Sequence, residues 1–168
     1  SENPREAEKA VVRLVEQEPA NYPKFLDLVG LYVKSEDLDS AVRILSMSSE
    51  HLLVGGKSED FHKWTDEILT RNPEQIDALR LLVRYHGWQR DESELRLSLE
   101  RLAEVAQSQE LAEHEHYALS QLVMIMPHEV SYAQRLQELK TQYGGDFGAV
   151  EAVTEFEIGA PLTSPGVC

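Results

Sequence analysis

Residues 72–106 read N-P-E-Q-I-D-A-L-R-L-L-V-R-Y-H-G-W-Q-R-D-E-S-E-L-R-L-S-L-E-R-L-A-E-V-A. Asn72 belongs to the residue types that cap helices, and Pro73 suits the first helical position, where its missing N–H costs nothing. Beyond them Ile76, Leu79, Leu82 and Val83 fall at spacings of three and four, which lines one face of a 3.6-residue period. Residues 87–90 interrupt that pattern. Asp91 and Glu94 then hold the two positions of a capping box, and Leu95, Leu99, Leu102 and Ala106 open a second apolar stripe. The stretch predicts a helical hairpin with one apolar side. A hairpin this small cannot bury both stripes alone, so it should stack on further hairpins.

Working outward, the same periodicity gives six more helices. Residues 4–18 carry Ala7, Ala10, Val11, Leu14 and Val15 and stop at Pro19; residues 22–34 carry Phe25, Leu28, Val29 and Tyr32. Ser35 is positioned to cap a third helix with Leu38, Ala41, Val42 and Leu45, running through Leu52 and Leu53 to Gly55-Gly56. Ser58 opens a fourth, with Phe61, Trp64, Thr65 and Ile68 inward. Ser108 starts a seventh, punctuated by Pro127, and residues 129–143 form an eighth around Val130, Tyr132, Leu136 and Leu139. The breaks are short, so successive helices should be antiparallel neighbours. No segment of residues 1–143 alternates long enough for a sheet.

Composition narrows the function. The chain has 168 residues, 42% hydrophobic and 27% charged, which is ordinary for one folded domain or a short repeat array. A formal net charge of -14 opposes nucleic acid and anionic membranes, because phosphate affinity comes mainly from Lys and Arg releasing counterions. No apolar run approaches the roughly 18 residues of a membrane span, and the Ser-Glu-Asn-Pro start lacks the order of a signal peptide. A cytoplasmic location is expected. The one cysteine, Cys168, leaves no disulfide framework and no thiolate metal cluster.

Paired helices of about 34 residues with these punctuations resemble the tetratricopeptide repeat, over roughly residues 20–143. Leu28, Tyr32, Ala41 and Leu45 match its large, aromatic, small and large packing positions. Residues 52–61 look like its mid-turn, and Asn72-Pro73 like its terminal proline. Leu79, Leu82, Leu95, Leu99 and Leu102 occupy packing positions, with Leu95 in place of the usual alanine. The third helix fits either as the second helix of one repeat or the first of the next. Helices are paired here one with two, three with four, five with six and seven with eight. The resemblance implies an all-α fold, a right-handed α-solenoid of about four antiparallel helix pairs over residues 1–143, with an acidic extended tail at 144–168. It implies a concave groove for a protein or peptide ligand, lined by Arg43, Ser46 and Glu50, by Asp77, Arg80, Arg84 and Trp88, and by His114, Tyr117 and Gln121. The spacing of four independently places Arg80, Arg84 and Trp88 on one helix face, where two guanidiniums beside an indole can grip a carboxylate and an apolar side chain.

Catalytic patterns are weak. Glu59 with His62, and Glu113 with His116, show a Glu-x-x-His spacing, but about one such pair is expected by chance in this composition. No nucleophile setting or phosphate loop appears. The expected protein is a non-catalytic interaction scaffold without metal or cofactor; the alternative is a subunit that self-associates through exposed solenoid ends or its tail. In that tail Thr154, Phe156 and Ile158 alternate with Glu155 and Glu157, the pattern of a short strand or extended peptide, and Pro161 and Pro165 bar a continuing helix.

Overall fold

A computed structural model of the chain describes residues 3–144. They form eight α-helices: α1 (Pro4–Gln17), α2 (Lys24–Lys34), α3 (Leu38–Val54), α4 (Ser58–Arg71), α5 (Ile76–Gln89), α6 (Glu92–Ser108), α7 (Ala112–Ile125) and α8 (Val130–Tyr143). A short 3-10 turn occupies Pro19–Asn21, and none of the described residues is in a strand. The all-α class is thus as the periodicity requires. The alternating segment around Phe156 lies outside the described residues.

Helix boundaries recur every 54 residues. α1, α4 and α7 begin at 4, 58 and 112 and end at 17, 71 and 125; α3 and α6 begin at 38 and 92 and end at 54 and 108; α5 and α8 begin at 76 and 130 and end at 89 and 143. Pro19, Pro73 and Pro127 keep the same interval. The repeating unit along the chain therefore holds three helices, where the resemblance implied pairs of about 34 residues.

Two kinds of corner build this unit. After α2, α3, α5 and α6 the chain turns through a residue of positive φ: Glu36 (63°), Gly56 (82°), Arg90 (57°) and Glu110 (58°). The next amide reaches back five residues to close the helix, Asp37 N–H to the Tyr32 carbonyl (2.9 Å), Lys57 to Leu52 (2.8 Å), Asp91 to His86 (3.1 Å) and Leu111 to Ala106 (2.9 Å). That same residue then precedes the following helix. Asp37 Oδ1 accepts from Ser40 N–H at 3.1 Å and Asp91 Oδ1 from Glu94 N–H at 3.2 Å, so one aspartate ends one helix and starts the next. The second kind of corner carries the prolines. Asn72 Oδ1 accepts from Glu74 N–H, and it is the Gln75 side chain that caps α5 by accepting from Ala78 N–H at 2.7 Å.

These contacts correct several expected caps. Asn72 and Pro73 lie in the corner before α5 and not at its start. Ser35 donates to the Leu31 carbonyl (2.9 Å) and closes α2, leaving the start of α3 to Asp37. Ser58 is already helical, and Ser108 ends α6 instead of opening α7.

The chain forms two compact units, Ser1–Leu81 and Leu82–Cys168, the division falling inside α5. In the first, α2 packs on α1, α3 and α4, and α3 on α4, burying Leu28, Val29, Tyr32, Ile44, Leu45, Leu52, Phe61 and Ile68. In the second, α7 packs on α6 and α8, burying Leu99, Leu102, Ala106, Tyr117, Leu119, Leu122 and Leu139. Buried hydroxyls return to their own helices: Ser48 to the Ile44 carbonyl, Thr65 to Phe61 and Ser98 to Leu95, each at 2.8 Å. They cost the core no unmet hydrogen bond. Gly55 permits one close approach, since a Cβ there would fall 1.6 Å from the Tyr22 hydroxyl.

The first and last helices differ from their counterparts. Where α4 buries Phe61, Thr65, Ile68 and Leu69, α1 has Ala7, Val11, Leu14 and Val15 at the matching positions and buries no residue. Where α5 buries Leu79 and Val83, α8 has Ala133 and Gln137, both exposed, and buries only Leu139.

Leu99 lies wholly inside the second unit. Replacing it by Ala should lower unfolding free energy by about 2–5 kcal/mol in a denaturant titration; a loss under roughly 1 kcal/mol would show that α6 is not part of that core.

Candidate interaction surface

The surface around α1 is built on a polar clamp. Asn3 caps α1 by accepting from Arg5 N–H at 2.9 Å, and Pro4 takes the first helical position. One turn on, Glu8 accepts from the Tyr32 hydroxyl of α2 at 2.5 Å, and from Arg43 of α3 through two parallel bonds of 3.0 Å. The Arg43 hydrogen bonds hold the Glu8 carboxyl below its usual 4.5, burial opposing and Tyr32 assisting. Burial first, and then Glu8, pushes the Tyr32 hydroxyl up, and Glu8 raises Arg43. Three helices thus meet at one carboxylate. With only the half-buried Ala7, Val11, Val12 and Val15 for apolar contact, α1 depends on it.

Beside the clamp runs a groove of about 620 Å³ lined by Arg5, Glu8, Lys9, Val12, Arg13, Glu16 and Arg43. Arg5, Lys9 and Arg13 are four apart and so share a helix face. Like charges at this spacing repel by about 0.2–0.5 kcal/mol per pair, and Arg5 lies in the first turn, where the helix dipole disfavours a cation. Among the described residues none of the three is in an ion pair within 4 Å.

A second groove, about 710 Å³, lies on the same unit and is lined by Pro23, Leu26, Asp27, Gly30, Leu31, Lys34, Asp60, Lys63 and Trp64. Trp64 is half-buried and not fully inward. Its ring presses on Gly30 of α2, where a Cβ would stand 3.1 Å away, and the Lys63 ammonium is 5.8 Å from the ring centroid. Glycine inside a helix costs about 1 kcal/mol against alanine, and this approach explains its presence. A mid-helix Gly30 was the available signal.

The residues proposed from the sequence fall in three environments. Arg43 is exposed but engaged by Glu8, with Ser46 and Glu50 exposed farther along α3. On α5, Asp77 is exposed, Arg80 and Arg84 are half-buried and already have interaction partners, and Trp88 is 40% exposed. On α7, His114 is half-buried, whereas Tyr117 and Gln121 are 0% exposed and lie in the interior.

The second unit has its own polar anchors. Glu115, 3% exposed on α7, accepts from Arg135 Nε at 2.6 Å and Nη2 at 3.0 Å, which raises the Arg135 pKa. Tyr132 of α8 donates to Glu100, and Arg96 reaches both, at 3.3 and 3.2 Å. Burial, then Glu100, raises the Tyr132 hydroxyl. Of the Glu-x-x-His pairs, Glu113 is exposed and His116 buried, while His62 is 3.2 Å from Asp66. Among the described residues no three His, Cys, Asp or Glu gather as metal ligands, and no helix is long and apolar enough to cross a membrane.

Glu8 sets a pH dependence. Because its folded pKa is depressed, its stabilisation is complete above the ordinary value near 4.5 and is lost as pH falls through the lower folded value. NMR should show α1 amides losing their native shifts as pH falls below 4.5, while α3 and α4 hold. Glu8→Gln should loosen α1 already at pH 7; an α1 indifferent to both changes would mean that the clamp does not hold it.

No protein-family model, curated protein or solved structure matches this chain.

Proposed function

We propose that the chain is a non-catalytic scaffold for protein–protein interaction in the cytoplasm, its helices wound as a right-handed solenoid of the tetratricopeptide type, holding a peptide or partner helix on its surface. The observation that supports a stacked repeat is the 54-residue recurrence of helices, although its three-helix unit differs from the two-helix tetratricopeptide one, because a repeating unit that cannot close its own apolar faces stacks on its neighbours and leaves an extended, adaptable surface. The acidic balance, -14, favours protein over nucleic acid as the partner. Arg80, Arg84 and Trp88, one turn apart along α5, are the central binding residues in this reading; Arg43, Ser46, Glu50, Asp77 and His114 are further candidates on their own helices.

Affinity capture from the native cell tests it. The wild-type chain should retain a defined protein that the Arg80→Glu/Arg84→Glu variant loses, with helical circular dichroism and melting unchanged; retention of the same protein by a folded double variant removes the α5 site.

A second reading is self-association, favoured by α1, which buries no residue and leaves Leu14 38% exposed. Light scattering across a concentration series decides it, since a monomer mass at every concentration defeats this reading.

A further inference from the structure

We propose that the groove along α1 is a docking site for an extended acidic segment of a partner protein, with Arg5, Lys9 and Arg13 each receiving one carboxylate. This deepens the scaffold reading, on which it rests, by naming the chemistry of the ligand at a place separate from α5.

The charge balance of the groove comes first. Among the described residues it is lined by four cations, Arg5, Lys9, Arg13 and Arg43, and two carboxylates, Glu8 and Glu16. Arg43 and Glu8 neutralise one another in a bidentate pair, and Glu8 is further occupied by the Tyr32 hydroxyl. What faces an incoming ligand is three cations against Glu16, on a chain whose balance elsewhere is strongly acidic. The cations repel one another along the helix, so an anionic ligand removes a local cost as well as gaining contacts.

Spacing then suits an extended ligand. Residues four apart on a helix are separated by about 6 Å along its axis, so the three cations span about 12 Å. Alternate residues of an extended chain lie about 6.6–6.8 Å apart on one side, close to that interval. An extended segment with Glu or Asp at every second residue fits, its carboxylates on the cations and its aliphatic stems over Val12. Duplex or single-stranded nucleic acid also carries regular anions, but it would meet the net charge of -14 outside the groove.

The probe is a fluorescein-labelled ten-residue peptide in which Glu alternates with Thr, with a Gln-Thr counterpart, titrated by anisotropy against the full chain. The Glu peptide should bind saturably, at least tenfold tighter than the Gln peptide, and should weaken as salt rises. Lys9→Glu/Arg13→Glu should weaken it tenfold or more, whereas Lys34→Glu, on the second groove, should change it less than twofold. Lys9→Gln/Arg13→Gln, which adds no repulsion within α1, should give an intermediate loss with helicity intact. Equal binding of the two peptides, equal loss with Lys34→Glu, or displacement by inorganic phosphate at the peptide's own concentration would overturn the proposal. Arg80 and Arg84 lie outside this groove, so the capture experiment on α5 can succeed or fail independently of it.

Discussion

The corner that follows α2, α3, α5 and α6 is the constraint on which the fold depends. A single residue in the left-handed region turns the chain, and the next amide closes the preceding helix by reaching back five residues. Because that amide belongs to the residue from which the next helix starts, there is no slack in which the angle between helices can vary. Asp37 and Asp91 fix both sides at once, with backbone N–H pointing back and carboxylate pointing forward. Left-handed geometry at Glu36, Arg90 and Glu110, which carry side chains, costs roughly 1–2 kcal/mol each. At Glu36 and Glu110 the packing of α2 on α3 and of α6 on α7 offsets it, so these corners and the core are mutually dependent.

The proline corners work differently. Each places Pro at the same interval, where it ends the preceding helix by lacking an N–H and restricting its neighbour. Four residues, Asn72–Gln75 and Met126–Glu129, then separate the helices, and the second helix finds its start late, at Gln75 in the one case. The longest helices, α3 and α6, lie between two tight corners. α3 buries nine residues, more than any other described helix.

Much of this was legible in the sequence, and what was not has physical causes. Eight apolar stripes of helical period gave the class and nearly every helix, because burial imposes that period whatever the partner. Caps were read less well. Ser58 and Ser108 are good capping residues that lie inside helices, and the true breaks at Glu36, Arg90 and Glu110 use residues with no preference for positive φ. The 54-residue interval was visible in Pro19, Pro73 and Pro127, but matching packing positions differ in type, Ala7 against Phe61 against Glu115, so similarity of side chains does not reveal it. Glu8, Tyr32 and Arg43 are 24 and 35 residues from their partner and become neighbours only when three helices assemble. Of the residues read as a groove, Tyr117 and Gln121 had the right periodicity to be on either side of α7, and periodicity cannot choose between sides when both are apolar enough to bury.

The contrast between α1 and α8 ties the fold to the surface it offers. Ala133, Gln137, Lys140 and Thr141 give α8 a side that water satisfies without help. α1 is held instead by one carboxylate between a phenol and a guanidinium, and beside that clamp Arg5, Lys9 and Arg13 share a face with Glu16 near them. Committing Glu8 to Arg43 removes the one acid best placed to neutralise the row, so the interaction that fastens α1 to α2 and α3 is also the one that leaves Arg5, Lys9 and Arg13 open to a ligand.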